Sequence, residues 1–519
     1  MVTPLDTSAL PWAPTRERPR TLADVAAVGA REFADAIAIT DGERRISYAE
    51  LEAGVARVAA ALHVEPGDRV ALLCANRAEF WFGYLGIARA GAVSVPLGTR
   101  LSVSELAFLI DHAECRALLH GAEHADVARA LAGAVERLDL DALPDGGEAP
   151  TAAPDPASDA AIFYTSGTTD SPKGVRLTHE GILHCATVCG NAFEITGDDV
   201  ALALLPLYHT STHFIALPTL MAGGTVVVHE GFNADAAFAL LERHGVTLFP
   251  TVSAVATLMA KHAERTRREG GLEHLRMVYF GGAGVPDSLL ASWARFAPST
   301  AIANVFGLTE MGPAVAGHIP TKHPPKPGTV GPPYAGIAVR IDGDPGPGAV
   351  GEILVRGRSM MAGYWRNEDA TRAALRDGWL HTGDLGFLDE DGFLSISGRQ
   401  KHMLKRGGEN VFPNEVEAVI IRHPAVKEVI VVGVPDEVMG ERVAALLSPQ
   451  PGARLEPEEV VAICAEQLAE FKVPELVAVL EPELPKNSVG KVDLRGLHAK
   501  ARDAGFEFLE FRRGRPVRR

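Results

Sequence analysis

Cysteine is scarce in this sequence: five residues of 519 (Cys74, Cys115, Cys185, Cys189 and Cys464), odd in number and without a CxxC pair. That excludes a disulfide framework and leads us to expect reduced thiols in a cytoplasmic setting. Positive charge is also in deficit. The chain has 50 Lys and Arg against 66 Asp and Glu, a net charge of −16, which argues against a nucleic acid as main partner. A nucleotide is not excluded, because a few local cations and backbone N–H groups suffice to hold one. No apolar run reaches membrane-spanning length and no basic-then-apolar leader is seen, so membrane insertion is not expected. His184, Cys185 and Cys189 share a helical face, but Cys is more often a small buried hydrophobe than a metal ligand.

The length implies two to four domains, and 47% hydrophobic with 22% charged residues is ordinary for a globular chain. Ser47-Tyr48-Ala49-Glu50 is a capping box before an amphipathic helix. Arg69 to Leu73 reads as a buried strand, Ala78 to Ala90 as a helix and Ala92 to Val95 as another strand. This alternation predicts an α/β fold with right-handed βαβ units and a largely parallel sheet. Residues 143–160 form a Pro-rich connector, and the strand AIFYT follows. From about residue 330 short strands between Gly turns suggest a β-rich subdomain, up to 399. Residues 400–519 form a compact α+β pattern that includes a helix from Pro457 to Phe471, and the basic tail EFRRGRPVRR reads as a frayed end.

The AIFYT strand delivers YTSGTTDSPKGVRLTH (164–179), which offers glycines, hydroxyls and Lys173 in one loop. Backbone N–H groups, hydroxyls and an ammonium together suit phosphate oxygens. It is not a Walker A loop, because Pro172 precedes the Lys and Gly174 follows it. Taken alone, a surface loop explains it equally well.

Other stretches accompany it: PLYHTS (206–211), FGGAGVP (280–286), NVFGLTEMG (304–312), GWLHTGDLG (378–386), GRQKHMLKRGGENVFPNEVE (398–417) and LPKNSVGKVDLRGL (484–497). In this order they resemble the motif series of the acyl-adenylating superfamily, which includes acyl-CoA synthetases, peptide-synthetase adenylation domains and firefly luciferase. The resemblance spans nearly the whole chain. It implies a large adenylation domain over 1–399 and a small mobile C-terminal domain over 400–519, which rotates between two half-reactions.

The resemblance also implies roles. Thr165, Ser166, Gly167, Thr168, Thr169 and Lys173 would wrap the β- and γ-phosphates of ATP. Gly281, Gly282 and Ala283 would let the backbone approach adenine and the acyl group. Asn304 and Phe306 would line the adenosine site, Phe306 standing where the family usually has Tyr. Thr309 and Glu310 would lie near the α-phosphate, Glu310 helping to hold Mg²⁺. Asp384 would accept from the ribose hydroxyls and Arg399 would reach ribose or phosphate. Lys491 occupies the catalytic lysine position, where its ammonium would bridge the substrate carboxylate and the α-phosphate. Lys401 falls on the hinge, and His402 replaces the usual acid beside it. Arg406, Gly407, Gly408 and Glu409 would form the pantetheine channel of CoA. Asp170 stands where the family usually has Gly. Pointed outward it is harmless; pointed inward it repels phosphate unless Lys173 or Mg²⁺ compensates.

For the acid, His209 would close a pocket lined by Val252, Gly282, Val305 and Gly307, which suits a fatty or aromatic acid. Pro206 to Phe214 contains no Asp to meet an ammonium, so an α-amino acid is not expected. Thr210, Ser211 and Thr212 fit either a polar substituent or helix capping. The implied activity is an AMP-forming carboxylate–CoA ligase using ATP, Mg²⁺ and CoA. Rivals are an enzyme of the same fold with another acceptor (a carrier protein, or an amine after activation of an oxyanion such as nitrite) and a non-catalytic nucleotide sensor. A homodimer stays open.

Overall fold

Apolar strand runs alternating with amphipathic helices build two large sheets in this computed structural model. It describes residues 10–131, 135–144, 146, 154–165, 172–268, 270–281, 287–319, 321–323, 326–343, 346–399, 403–406, 409–436, 439–486, 492–503, 505–512 and 515–516. Two compact units divide the chain. The larger takes Met1–Arg340, Leu354–His381 and Asp391–Leu394; the smaller takes Ile341–Ile353, Thr382–Glu390 and Ser395–Arg519.

In the larger unit, a seven-stranded sheet contains Arg69–Leu73, paired in parallel with the central strand Val93–Pro96 and with Cys115–His120. Its other side continues through Asp159–Thr165 and the antiparallel Lys173–Thr178 to the two-residue strand Gly363–Tyr364 at the edge. The first of these strands begins at Asp159, inside the stretch read as connector. Ser47 caps its helix as the sequence predicts, accepting from Glu50 N at 3.2 Å while Glu50 accepts from Ser47 N at 2.7 Å. The helix Ala78–Arg89 is buried on nearly every side, so its sequence carries no polar stripe. Its one acid, Glu79, is held by Arg44 and Arg77, each at 2.7 Å.

The second sheet has eight strands with a parallel centre: Ala301–Phe306, Met277–Gly281, Leu248–Val252, Val200–Ala203, Thr225–Val228 and Ile37–Asp41. Antiparallel Ala316–Gly317 and Arg44–Ser47 close its two edges. Under one face Phe238, Phe249, Phe280, Trp293 and Phe296 form a packed core, and burying each such ring contributes about 1.5–3 kcal/mol. Strand ends on the carboxyl side of parallel sheets are where α/β folds place ligands, and Val252, Gly281 and Phe306 lie there.

The β-rich stretch expected after residue 330 supplies Ala338–Ile341, Gly351–Arg356, Trp379–Leu388 and Leu394–Arg399. The smaller unit adds a seven-stranded sheet around Gly440–Pro449, flanked by helices Pro413–Ile420 and Pro457–Gln467. The second helix stops short of Phe471 because Leu468 is extended (φ −120°, ψ 155°). The tail is not simply frayed. Leu509–Arg512 pairs with Leu476–Val479, and Phe511, 2% exposed, anchors it in the core.

Candidate active site

The phosphate-type loop is carried by a hairpin whose register pairs Thr165 with Lys173 and Tyr164 with Gly174. Ser166, Gly167, Thr168, Thr169 and Asp170 lie outside the described residues. The neck of the hairpin is well tied. Thr165 Oγ1 donates to Lys173 O at 3.5 Å, and Tyr164 OH lies 2.7 Å from His112 Nδ1. Trp365 donates through Nε1 to His112 O at 3.0 Å and through its backbone N to Gly174 O at 2.7 Å.

A short 3-10 turn, Thr309–Met311, follows the strand Ala301–Phe306. Gly307 is obligatory between them, since a Cβ there would lie 1.5 Å from Pro313 O. Asn304 Nδ2 donates to Thr329 O at 3.3 Å, and Phe306 is half-buried. Glu310 accepts from Met361 N at 2.8 Å through its backbone and from Tyr364 OH at 2.9 Å through Oε1. Its other carboxylate oxygen has no partner among the described residues. Lys173 Nζ sits 5.0 Å from the centroid of the same Tyr364 ring. The hairpin lysine and the turn glutamate therefore meet on one residue that the sequence reading passed over. Its signal was the run Gly363-Tyr364-Trp365, which carries no recognisable spacing.

Val252, Gly281 and Val305 share one rung of the eight-stranded sheet. Val252 pairs with Gly281, Phe280 pairs with Asn304 so that Val305 comes next to Gly281, and a Cβ on Gly281 would lie 3.0 Å from Val305 Cγ2. Val305 pairs in turn with Gly317, over which the Tyr334 hydroxyl lies. Two residues down from Gly281, Tyr279 stacks edge-on with Phe193 at 4.4 Å, and Phe193 also meets Tyr334 and Phe214 at 5.7 and 5.9 Å. The wall is thus apolar and aromatic. Gly282 and Ala283 lie outside the described residues.

His209 is exposed at the start of the helix Thr210–Met221, its ring 4.5 Å from that of Tyr208. The loop before it is fixed by Asn76, whose amide donates to Leu205 O and accepts from Leu207 N, both at 2.8 Å. Thr212 Oγ1 donates to Leu205 O and Pro206 O at 3.1 Å, so this hydroxyl serves the scaffold rather than a substrate. His213 donates Nε2 to Leu207 O at 2.7 Å among the rings of Phe80, Trp81, Tyr84 and Phe163. Burial lowers its pKa to about 4, which keeps it neutral. The face shared by His184, Cys185 and Cys189 is buried, and these three do not bring their ligand atoms within 4.8 Å of one another.

In the smaller unit, Asp384 lies within the strand Trp379–Leu388 rather than in a turn, and is 5% exposed. Gly383 before it has φ +71°, a bend favouring glycine. Asp384 N donates to Thr382 Oγ1 at 3.0 Å. Arg399 ends the strand Leu394–Arg399, with its side chain outside the described residues, as are Lys401, His402, Gly407, Gly408 and Lys491. Arg406 pairs with Glu409 in a strand hairpin, and its guanidinium is committed to Glu475 at 2.8 Å and Phe471 O at 3.3 Å. Next to Lys491, Val492 bridges Lys486, and Asp493 caps the helix Leu494–Arg502 through Gly496 N at 3.0 Å.

Comparison with known proteins gives the family. Residues 27–365 match the family model of the AMP-binding enzyme, and residues 415–491 match that of the AMP-binding enzyme C-terminal domain. A feruloyl-CoA synthase of Amycolatopsis sp is 36% identical over 478 residues, covering 89% of this chain and 95% of that protein. An indoleacetate–CoA ligase of Aromatoleum aromaticum is 36% identical over 493 residues, with the same coverage of 89% and 95%. The o-succinylbenzoate CoA synthetase of Bacillus subtilis, solved with its acyl-adenylate intermediate, superposes with a TM-score of 0.83 at 30% identity, covering 91% of this chain and 97% of that one. The same enzyme with ATP and magnesium ion gives 0.83 and 30%, covering 92% and 99%. The chain belongs to the AMP-binding enzyme family and is an AMP-forming acid–thiol ligase of the acyl-CoA synthetase type.

Proposed function

We propose that the substrate is an aromatic carboxylic acid and the acceptor thiol is CoA, with the reaction taking place in the cytoplasm. The observation that carries the choice of acid is the rung Val252–Gly281–Val305, flat at its glycine and backed by Phe193, Tyr279 and Tyr334. A planar ring seats against such a wall, and aromatic contacts add about 0.5–1.5 kcal/mol beyond area burial. The feruloyl- and indoleacetate-activating relatives support the same class.

In the first step a carboxylate oxygen attacks the α-phosphorus of ATP, and the bond to the pyrophosphate oxygen breaks. In the second the CoA thiol attacks the acyl carbonyl, the carbonyl–AMP bond breaks and the thiol proton is released. Both steps bring anions together, so the residues act by positioning and neutralising charge. The loop from Thr165 to Lys173 grips the tail phosphates, Asp384 accepts from the ribose hydroxyls, and Phe306 offers its face to adenine. Lys491 bridges carboxylate and α-phosphate, and Arg399 assists from the strand end. A hard cation fits Glu310, whose second carboxylate oxygen, without a partner among the described residues, is the ligand type Mg²⁺ takes. Bound there, Mg²⁺ would supply neutralisation of phosphate charge.

The test is ATP–pyrophosphate exchange with a panel of aryl and straight-chain acids, followed by CoA-dependent AMP release. Aryl acids are expected to support faster exchange, and CoA to accelerate AMP release. Exchange with straight-chain acids alone overturns the aromatic reading, and no response to CoA overturns the acceptor. Lys491→Ala is expected to reduce exchange at least ~100-fold; undiminished exchange overturns the role of the lysine.

A further inference from the structure

The segment Met361–Trp365 is a strap across the catalytic end of the larger unit. Met361 N donates to Glu310 O at 2.8 Å, Ala362 N to Arg176 O at 2.9 Å and Trp365 N to Gly174 O at 2.7 Å. These main-chain bonds tie the Thr309–Met311 turn to the phosphate hairpin. Tyr364 is the one side chain in it that touches a charged group on each side. Its hydroxyl donates to Glu310 Oε1 at 2.9 Å and its ring lies under Lys173 Nζ at 5.0 Å.

The placement of that ring is itself fixed. Tyr364 pairs with Val175 on the hairpin strand, and its N donates to Thr371 Oγ1 at 2.9 Å. Thr371 in turn donates to Asn367 O at 2.8 Å. Gly363 has φ +145°, a region that favours glycine, and a Cβ there would lie 2.8 Å from Thr371 Cγ2. The backbone is shaped for this one side chain position.

An ammonium and a carboxylate this close to a common residue tend to pair with each other, and such a pair would neutralise the two groups that phosphate and cation need. The tyrosine separates them. Its negative ring face attracts the ammonium, while its O–H donor occupies one carboxylate oxygen and leaves the other oriented and, among the described residues, without a partner. Groups that orient a ligand through a hydrogen bond typically alter metal affinity or activity by about 10–100-fold when removed.

We infer that Tyr364 is a positioning residue that holds Lys173 and Glu310 apart and aimed, coupling the phosphate grip to the cation site. This rests on the roles proposed above for Lys173 and Glu310. It predicts that the two losses separate by variant. Tyr364→Phe keeps the ring and loses the bond to Glu310; Tyr364→Leu loses this bond and the ring contact with Lys173.

The test is equilibrium binding of α,β-methylene-ATP to the full chain without acid, with and without Mg²⁺, alongside thermal melting. Tyr364→Phe is expected to raise the Mg²⁺ concentration for half-maximal enhancement about tenfold, with metal-free binding and melting temperature unchanged. Tyr364→Leu is expected to weaken metal-free binding as well. Should the leucine variant not fold, the phenylalanine variant carries the test. Glu310→Gln separates the two readings. If Glu310→Gln shifts the Mg²⁺ titration and Tyr364→Phe does not, the positioning role is overturned while the cation site stands. If Glu310→Gln shifts nothing, both are overturned. A Tyr364→Phe shift accompanied by an equal loss of metal-free binding and a lower melting temperature also overturns it, because that is general damage.

Discussion

Glu417, on the helix Pro413–Ile420, accepts from Val431 N at 2.8 Å through Oε1. Burial raises its pKa from 4.5 to about 7, and the Val431 bond only partly opposes this. A carboxyl whose folded pKa is raised binds more protons in the folded state over that interval. Its contribution is therefore complete below pH 4.5 and is lost as pH rises through about 7. The loss is at most about 3 kcal/mol. Glu417→Gln removes the titrating group and keeps an acceptor for Val431 N. We expect the variant to melt close to the parent at pH 5 and clearly above it at pH 8. Equal differences at the two pH values contradict the assignment.

At the scale of elements, Arg276 joins three of them. Its guanidinium donates to both carboxylate oxygens of Asp199 at 2.7 and 2.8 Å and to Phe193 O, at the end of the helix His179–Phe193, at 3.0 Å. Burial alone would raise the Asp199 pKa, but Arg276, Thr247 and the Thr196 N–H outweigh it and hold it below the usual value. Arg276→Ala leaves that buried carboxylate without its cation, which costs about 3–5 kcal/mol. Urea unfolding of the parent, the single variant and the Asp199→Asn, Arg276→Ala double variant checks this. The double variant should be more stable than the single, because the stranded charge is gone. The elements themselves were unequally legible. The βαβ run from Arg69 to Val95 and the capping box at Ser47 could be read directly, because period and cap are local properties. The Met361–Trp365 strap could not: it is held by main-chain bonds to residues far along the chain, and its strand is only two residues long. The tail strand Leu509–Arg512 was missed for a related reason, since Phe511 finds its core only in the folded sheet. Tyr364 and Arg276 drew no attention because a single Tyr or Arg has no spacing to recognise, whereas Thr309, Glu310 and Asp384 stood in ordered motifs.

At the scale of the molecule, a net charge of −16 coexists with a site built to receive a polyphosphate. Several acids are paired with nearby arginines, as Glu79 is with Arg44 and Asp199 with Arg276, while among the described residues Lys173 is held on an aromatic ring rather than by a carboxylate. The apolar cores are also segregated. One gathers Phe238, Phe249, Phe280 and Trp293, all in the larger unit; another gathers Val411, Val431, Val460 and Phe511, all in the smaller. Units with separate cores unfold as separate cooperative transitions unless a large apolar interface couples them. Glu417→Gln and Arg276→Ala then act as reporters, one in each unit. Differential scanning calorimetry of the full chain at pH 8 is expected to show two transitions. Glu417→Gln should raise one, Arg276→Ala should lower the other, and the double variant should show both shifts unchanged, because sites in separate cores that share no partner add within about 0.5 kcal/mol. A single transition displaced by either variant would mean that the chain unfolds as one cooperative body despite its divided cores.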